Sequence, residues 1–434
     1  MTNRSVDVPK EVIVASHSGP LAGEVVVPGA KNSVLKLMAA SLLADGMTVL
    51  HNVPVIADVD IMADLLMALG LQIEYLDAHP GEVGQRLQIF NNRMITPVAP
   101  YELADRIRAS VNVVGPLLGR FGNVTIALPG GDDFGGRPIN MHLRGLEEMG
   151  ATFEITDDGV VGQCDRLRGA DITLDFPSVG ATENILTAAV VADGVTTINN
   201  AAREPEIVDL AMFLSSMGAR ITGAGTPTIT ITGVEQHALS PVTHRVVTDR
   251  VQAATYMAAV AMCGGDVFVR HAIPAHMEML LSRYADMGVS VVPDADGIRV
   301  SCDGRLHSID VATLPFPGVA TDYKPLLVAM LSIADGSGIV TENLYPGRFR
   351  YVEELSKLGA DITIDGHHAV VRGVDHLTGG VVSAPDIRAG AALVVAGLSA
   401  RGMTEIHDVH HIDRGYDDLV GRLASIGGVI SRVS

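Results

Sequence analysis

The amino-acid sequence predicts an α/β fold made of six repeated βαβαββ-like units, three to a domain. Three observations carry this. An apolar helix-like run, a glycine-containing turn, a short β-branched strand, a second helix-like run and a small-residue stop before another strand recur six times. The glycines that close the second helix of each unit, Gly70, Gly150, Gly218, Gly288, Gly359 and Gly427, stand roughly 70 residues apart, a period too long for the common solenoids and suited to compact mixed units. The chain has 434 residues, more than one core usually holds at about 100–200 residues per domain, so the units divide into two domains.

The stretches before those glycines match in kind. MADLLMALG, AMFLSSMGA, YVEELSKLGA and LVGRLASIGG each place apolar residues at helical spacing and end where a C-cap needs a left-handed residue. The first helix of each unit follows a polar signature: Gly29-Ala30-Lys31-Asn32, Arg106-Ile107-Arg108-Ala109-Ser110, Gly180-Ala181-Thr182-Glu183-Asn184, Thr248-Asp249-Arg250, Thr321-Asp322-Tyr323-Lys324 and Asp386-Ile387-Arg388-Ala389-Gly390. Five of the six carry a Lys or Arg. Helix N-termini offer unpaired N–H groups and partial positive charge, so a convergent set with cations would trap an anion. Solvated helix ends are the alternative for any single one.

The second helices open with Arg203-Glu204-Pro205-Glu206, Tyr345-Pro346-Gly347-Arg348-Phe349 and His411-Ile412-Asp413-Arg414-Gly415-Tyr416. The most unusual stretch is 129–138, where four glycines surround Asp132 and Asp133 and lead to Arg137 and Pro138. It reads as a loop that moves charge onto a bound substrate, or as a structural turn. It lacks the Gly-Lys-Ser/Thr of a Walker loop, and Gly223-Ala224-Gly225 completes no dinucleotide fingerprint. His407, Asp408, His410 and His411 follow strand-then-turn spacing, not a convergent ligand set, and His367-His368 reads as a solvated turn. No metal or cofactor is expected.

Composition narrows the partners. A formal charge of −19, no Trp and 4% aromatic residues disfavour nucleic acid, since the field repels polyanions and few rings are available for stacking. Cys164, Cys263 and Cys302 stand apart, with no C-x-x-C pair, which suits a reducing compartment. The first residues lack a signal-peptide core, and no apolar run reaches the ~18 residues of a membrane span. A soluble cytoplasmic protein without membrane partners is expected, as monomer or weak homo-oligomer.

The segments GAKNSVLKLMAASLLADG, RASVNVVGPLLGRFG, LPGGDDFGGRPINMHLRGLEEMGA, FPSVGATENILTAAVVADGVTTINNAAREPEIVD, ATDYKPLLVAML, ITIDGHHAVVRG and HIDRGYDDLVGRLASIGG closely resemble the UDP-N-acetylglucosamine 1-carboxyvinyltransferases, a family of enolpyruvyl transferases. The resemblance runs nearly end to end and is nearest to actinobacterial members with aspartate in place of the loop cysteine. It implies a two-domain inside-out α/β barrel. Residues 31–248 would form the nucleotide-sugar domain with a mobile catalytic loop at 129–138. Residues 1–30 and 249–434 would form the second domain, with the active site in the cleft between them.

The implied chemistry is addition–elimination. The sugar 3-hydroxyl attacks C2 of phosphoenolpyruvate while C3 takes a proton; the tetrahedral adduct then loses a C3 proton and expels phosphate, cations supplying the electrophilic stabilisation. Carried over by position, Lys31 and Asn32 contact phosphoenolpyruvate, with Arg137, Arg388 and Arg414 completing a phosphate and carboxylate clamp. Arg348 is a further active-site arginine, and Asp322, beside Thr321, the base at the sugar hydroxyl. The nucleotide sugar would meet Arg108, the run Arg137, Pro138, Ile139, Asn140 and Met141, the run Phe176, Pro177, Ser178, Val179 and Gly180, and Leu344. Asp132 falls on the proton donor. A free Asp has a pKa near 3.9, so donation requires a raised value. A carboxylate does not open the epoxide of fosfomycin as a thiolate would, so intrinsic resistance is expected.

Asp133-Phe134, Asn140, Tyr345-Pro346-Gly347 and Val319-Ala320 depart from the family pattern, and they cluster on the nucleotide-sugar side. Two other functions share the remaining residues: enolpyruvyl transfer to another nucleotide such as uridine monophosphate, and a non-catalytic nucleotide-sugar-binding paralogue.

Overall fold

The computed structural model describes residues 11–92, 94–127, 139–156 and 159–434. The chain divides into two compact units. One comprises Met1–Val27, Arg250–Leu314 and Gly318–Ser434; the other comprises Pro28–Asp249 with Pro315–Pro317.

Among the described residues, each unit holds three of six four-stranded sheets. One repeat shows the plan. Strand Asp171–Thr173 leads into helix Val179–Ala189 and a second strand Val195–Asn199; helix Pro205–Met217 follows, then strands Arg220–Thr222 and Thr228–Thr232. The first two strands pair in parallel, with Ile172 opposite Ile198. The fourth inserts antiparallel between the second and third, placing Ile229 opposite Ile198 and Ile231 opposite Ile221. In the TITIT run of the fourth strand, both isoleucines are buried and all three threonines are less so, as period-two alternation on a half-wet sheet requires.

The first helix of each repeat lies at the centre of its unit. Every residue from Ile387 to Leu398 is buried, as is every residue from Arg250 to Met262. Helices apolar all round can sit only in a core, so the sheets form the outer layer and the order is inside out. Small residues let these helices approach: a Cβ at Gly115 would fall 2.3 Å from the Asn184 carbonyl oxygen. The second helices end as the repeat pattern predicts, on Gly70, Gly150, Gly218, Gly288, Gly359 and Gly427, with φ between +91° and +119°.

Neither unit is a simple tandem of its repeats. Strand Val12–Ser16 fills the inner place of the last sheet, pairing antiparallel with Met403–His407 and Ile430–Val433. Strand Leu21–Val26 pairs in parallel with Gly265–Arg270. In the other unit, Thr243–Arg245 returns to pair in parallel with Gly46–Val53. Each unit is thereby closed by strands distant in sequence. Among the described residues, no helix is long and apolar enough to cross a membrane.

Candidate active site

In the unit formed by Pro28–Asp249, the polar signatures fall at the starts of central helices. Lys31 opens helix Lys31–Ala40, and its Nζ lies 2.8 Å from Asp58 Oδ2 while its backbone N–H donates to Asp249 Oδ2 at 3.3 Å. Asn32 is half-buried in the same turn, and its carbonyl accepts from Lys36 Nζ at 2.7 Å. Lys36 Nζ is also 3.6 Å from Glu183 Oε1. Burial raises the Glu183 carboxyl to about 7 against the opposing charge of Lys36, and nearby Glu206 and Glu204 push the same way as burial.

Arg108 begins the 3-10 turn Arg108–Val113, which packs against helix Lys31–Ala40. Ile139 precedes helix Asn140–Glu148, with Ile139 buried, Asn140 exposed and Met141 half-buried. Ser178 caps helix Val179–Ala189, its hydroxyl accepting from Ala181 N–H at 3.3 Å. Phe176 is exposed, and Pro177, Val179 and Gly180 are half-buried beside it.

His142 joins these segments. A Cβ at Gly180 would fall 2.8 Å from His142 Cε1. Burial, helped by the charge of Arg108, pushes the imidazole down to about 3, so it is neutral. Asn184 fixes its tautomer: Oδ1 accepts from Gly115 N–H at 2.9 Å, and Nδ2 lies 2.8 Å from His142 Nδ1. Nδ1 therefore accepts and Nε2 carries the proton. Arg108, Gly180 and the start of helix Asn140–Glu148 thus surround one neutral imidazole. Sequence reasoning missed it, and its signal was a lone histidine on the buried face of that helix.

The other unit gathers Asp322, Arg348 and Arg388. Asp322 lies in the 3-10 turn Thr321–Tyr323 that opens helix Lys324–Leu331. Its Oδ1 accepts from Arg348 Nη1 at 2.8 Å and its Oδ2 from Arg388 Nε at 3.2 Å. Burial alone would raise its pKa, but the two guanidinium groups outweigh burial and hold the carboxyl well below the usual range. Arg388 stands in the first turn of helix Ile387–Ser399, which Asp386 caps by accepting from the N–H groups of Arg388 and Ala389 at 2.8 and 2.9 Å. Arg414 is half-buried. Its neighbours are pinned to helix Arg250–Cys263, where Gln252 Nε2 donates to the Gly415 carbonyl at 3.4 Å and Thr255 Oγ1 meets Tyr416 OH at 2.8 Å.

Glu342, unnoticed in the sequence, organises this corner. It is fully buried, with Lys324 Nζ 2.9 Å from Oε2. It also accepts from Thr313 and Thr321 hydroxyls, both at 2.7 Å, and from the N–H groups of Leu344 and Tyr345 at 2.8 and 3.1 Å. One carboxylate therefore sets Thr321 beside Asp322 and half-buried Leu344 in the loop before Arg348. Lys324, counted among the recurring cations, is wholly enclosed and spends its charge on this pair. Asp132, Arg137 and Pro138, with the loop 129–138, lie outside the described residues.

The chain matches the family model described as EPSP synthase (3-phosphoshikimate 1-carboxyvinyltransferase) over residues 15–423. It is 52% identical over 428 residues to the UDP-N-acetylglucosamine 1-carboxyvinyltransferase of Mycolicibacterium paratuberculosis, covering 98% of this chain and 99% of that protein. It is 51% identical, with the same coverage, to the protein of that name from Nocardia farcinica. Among solved structures it resembles the enolpyruvyl transferase NikO from Streptomyces tendae, with TM-score 0.87, 25% identity and coverage of 98% and 99%. EPSP synthase from Acinetobacter baumannii shares the fold, with TM-score 0.73 at 18% identity over 98% of this chain and all of that one. Matched by that family model through most of its length, and sharing half its residues with transferases of one name, the protein belongs to the enolpyruvyl transferase family and, within it, to the UDP-N-acetylglucosamine 1-carboxyvinyltransferases.

Proposed function

We propose that the protein transfers the enolpyruvyl group of phosphoenolpyruvate to the 3-hydroxyl of UDP-N-acetylglucosamine and releases phosphate, the first committed step of peptidoglycan synthesis, in the cytoplasm. The observation that carries this is Asp322 held between Arg348 and Arg388, in a chain that is 52% identical to a transferase of that name over nearly its whole length. An ionised carboxylate at a helix start would take the hydroxyl proton as the oxygen attacks C2. Arg348 and Arg388 carry the charge that phosphoenolpyruvate's carboxylate and phosphate require.

The pairing also regulates the base. With both arginines on Asp322, the carboxylate is a weak proton acceptor. Anionic substrate drawing the guanidinium groups away would raise its basicity as the reaction needs it. Lys31, Asn32 and Arg414 would complete the cationic set. Asp132 would protonate C3, and Arg137 would bind both substrates. Arg108, Ile139, Asn140, Met141, the Phe176, Pro177, Ser178, Val179 and Gly180 run and Leu344 would hold the nucleotide sugar. Half-identity to relatives named UDP-N-acetylglucosamine 1-carboxyvinyltransferase favours this acceptor despite the departures at Asn140 and Tyr345-Pro346-Gly347.

The test is phosphate release from phosphoenolpyruvate with UDP-N-acetylglucosamine and uridine monophosphate offered separately. Release with the sugar nucleotide alone supports the proposal. Release with the monophosphate alone replaces the acceptor, and silence with both, nucleotide-sugar binding being retained, replaces catalysis by binding.

A further inference from the structure

Asp209 lies on helix Pro205–Met217, buried, and is assigned no part in the reaction above. Its carboxylate receives three donors. Ser33 Oγ donates to Oδ2 at 2.5 Å and Val247 N–H to the same oxygen at 3.2 Å. His244 Nε2 lies 2.8 Å from Oδ1, with its ring edge-on to Phe213 at 5.5 Å.

These donors come from the two segments that set Lys31. Ser33 is in the first turn of helix Lys31–Ala40. Val247 is two residues before Asp249, whose Oδ2 accepts the Lys31 N–H. The segments are also joined along their backbones: Ala30 N–H donates to Val247 O at 2.7 Å, Asp249 N–H donates to Pro28 O at 2.9 Å, and Gly29 bridges Thr248. Asp209 bonds to both segments from a third element. A carboxylate with donors on both oxygens is held in one orientation, so it transmits the position of its helix to whatever it binds.

We propose that Asp209 is a positioning residue for phosphoenolpyruvate binding: through Ser33 on one side and Val247 on the other, it fixes the helix start that presents Lys31. This rests on the enolpyruvyl transfer reading for the identity of the ligand. A small displacement of a substrate-binding cation costs up to about 10²-fold, so the effect belongs in the kinetic constant for the anion that Lys31 meets.

The experiment measures steady-state constants for both substrates with Asp209→Asn, Ser33→Ala and Ser33→Thr, beside calorimetric binding of phosphoenolpyruvate and of UDP-N-acetylglucosamine. Asp209→Asn and Ser33→Ala are expected to raise KM for phosphoenolpyruvate roughly 10-fold or more, leaving KM for the nucleotide sugar within about twofold. Ser33→Thr, which keeps the hydroxyl, is expected to restore the parent value. A merely structural role would lower the thermal midpoint and the active fraction and leave both KM values alone; that result overturns the proposal, as does an equal rise in both. If Asp209→Asn does not fold, the Ser33 pair decides alone. An inactive parent would remove the transfer reading instead, and phosphoenolpyruvate binding by parent and variants would still decide the role of Asp209.

Discussion

Replacing Glu342 by Gln tests whether one buried carboxylate supports the corner that holds Asp322. Lys324 and Glu342 have no exposed side-chain surface, and the ammonium lies 2.9 Å from Oε2 and 3.8 Å from the Phe349 ring centroid. Burial already lowers Lys324 to about 8 from 10.5, with Glu342 opposing the fall. Removing the negative partner strands an ammonium in the core, which costs about 3–5 kcal/mol. At roughly 2–4 °C per kcal/mol for a unit of this size, the transition of the unit containing Lys324 should drop by about 6–20 °C in calorimetry at pH 7. The sign of the pH dependence follows from the lowered lysine value. Between about 8 and 10.5 the unfolded chain binds the Lys324 proton and the fold does not, so this group's contribution to stability rises with pH across that window. In the variant Lys324 sheds its proton at lower pH still, so the deficit against the parent should be largest in acid, narrow as the pH rises towards 8 and stay constant above it. Thr321, Leu344 and Tyr345 lose their charged acceptor at the same time, so kcat/KM should fall as well. A thermal midpoint within about 1 °C of the parent at pH 7 would sink the argument, because it would mean that Lys324 carries no charge for Glu342 to neutralise.

Two further substitutions read other groups. Arg348→Gln removes one of the two cations that hold Asp322 down; the Asp322 value should climb, and the acid limb of the pH–kcat/KM profile should move up by roughly one unit or more, whereas an unmoved limb would detach Asp322 from the base role. Glu183 is raised to about 7 from 4.5, so between these values the fold holds a proton that the unfolded chain has lost, and stability falls as pH rises through that window. Glu183→Gln should therefore match the parent near pH 5 and exceed it by up to about 3 kcal/mol at pH 8 in denaturant unfolding; equal stability at both would show that Lys36 already compensates the buried charge.

The repeat was legible because its signals are local. A glycine after an apolar helical run announces a left-handed cap, and Gly70 through Gly427 all adopt one. The helix starts carrying Lys31, Asp322 and Arg388 were equally visible as polar signatures before apolar runs. Pairings across long separations were not. Nothing near Val12–Ser16 says that it pairs with Met403–His407. Nothing near Lys31 names Asp58 as its partner. Lys324 illustrates the cost of reading charge without burial: the sequence shows a cation at a helix start, and only packing shows that Glu342 has taken its charge. His142 and Asp209 escaped for the same reason, since their roles lie in what Asn184, Ser33 and Val247 bring to them.

The placement of strand Val12–Ser16 inside the last sheet sets a timetable for the newborn chain. Pro28–Asp249 is continuous apart from three residues, and nearly all its partners exist soon after Asp249 leaves the ribosome. The strand ahead of it must wait for Met403–His407 and Ile430–Val433. At about 5–20 residues per second, the gap of roughly 390 residues is a delay of about 20–80 s, during which an apolar strand has no edge to pair with. An early-folding insert gives that waiting segment a finished neighbour in sequence before its own sheet exists, and makes this strand, the first among the described residues, one of the last to find its place.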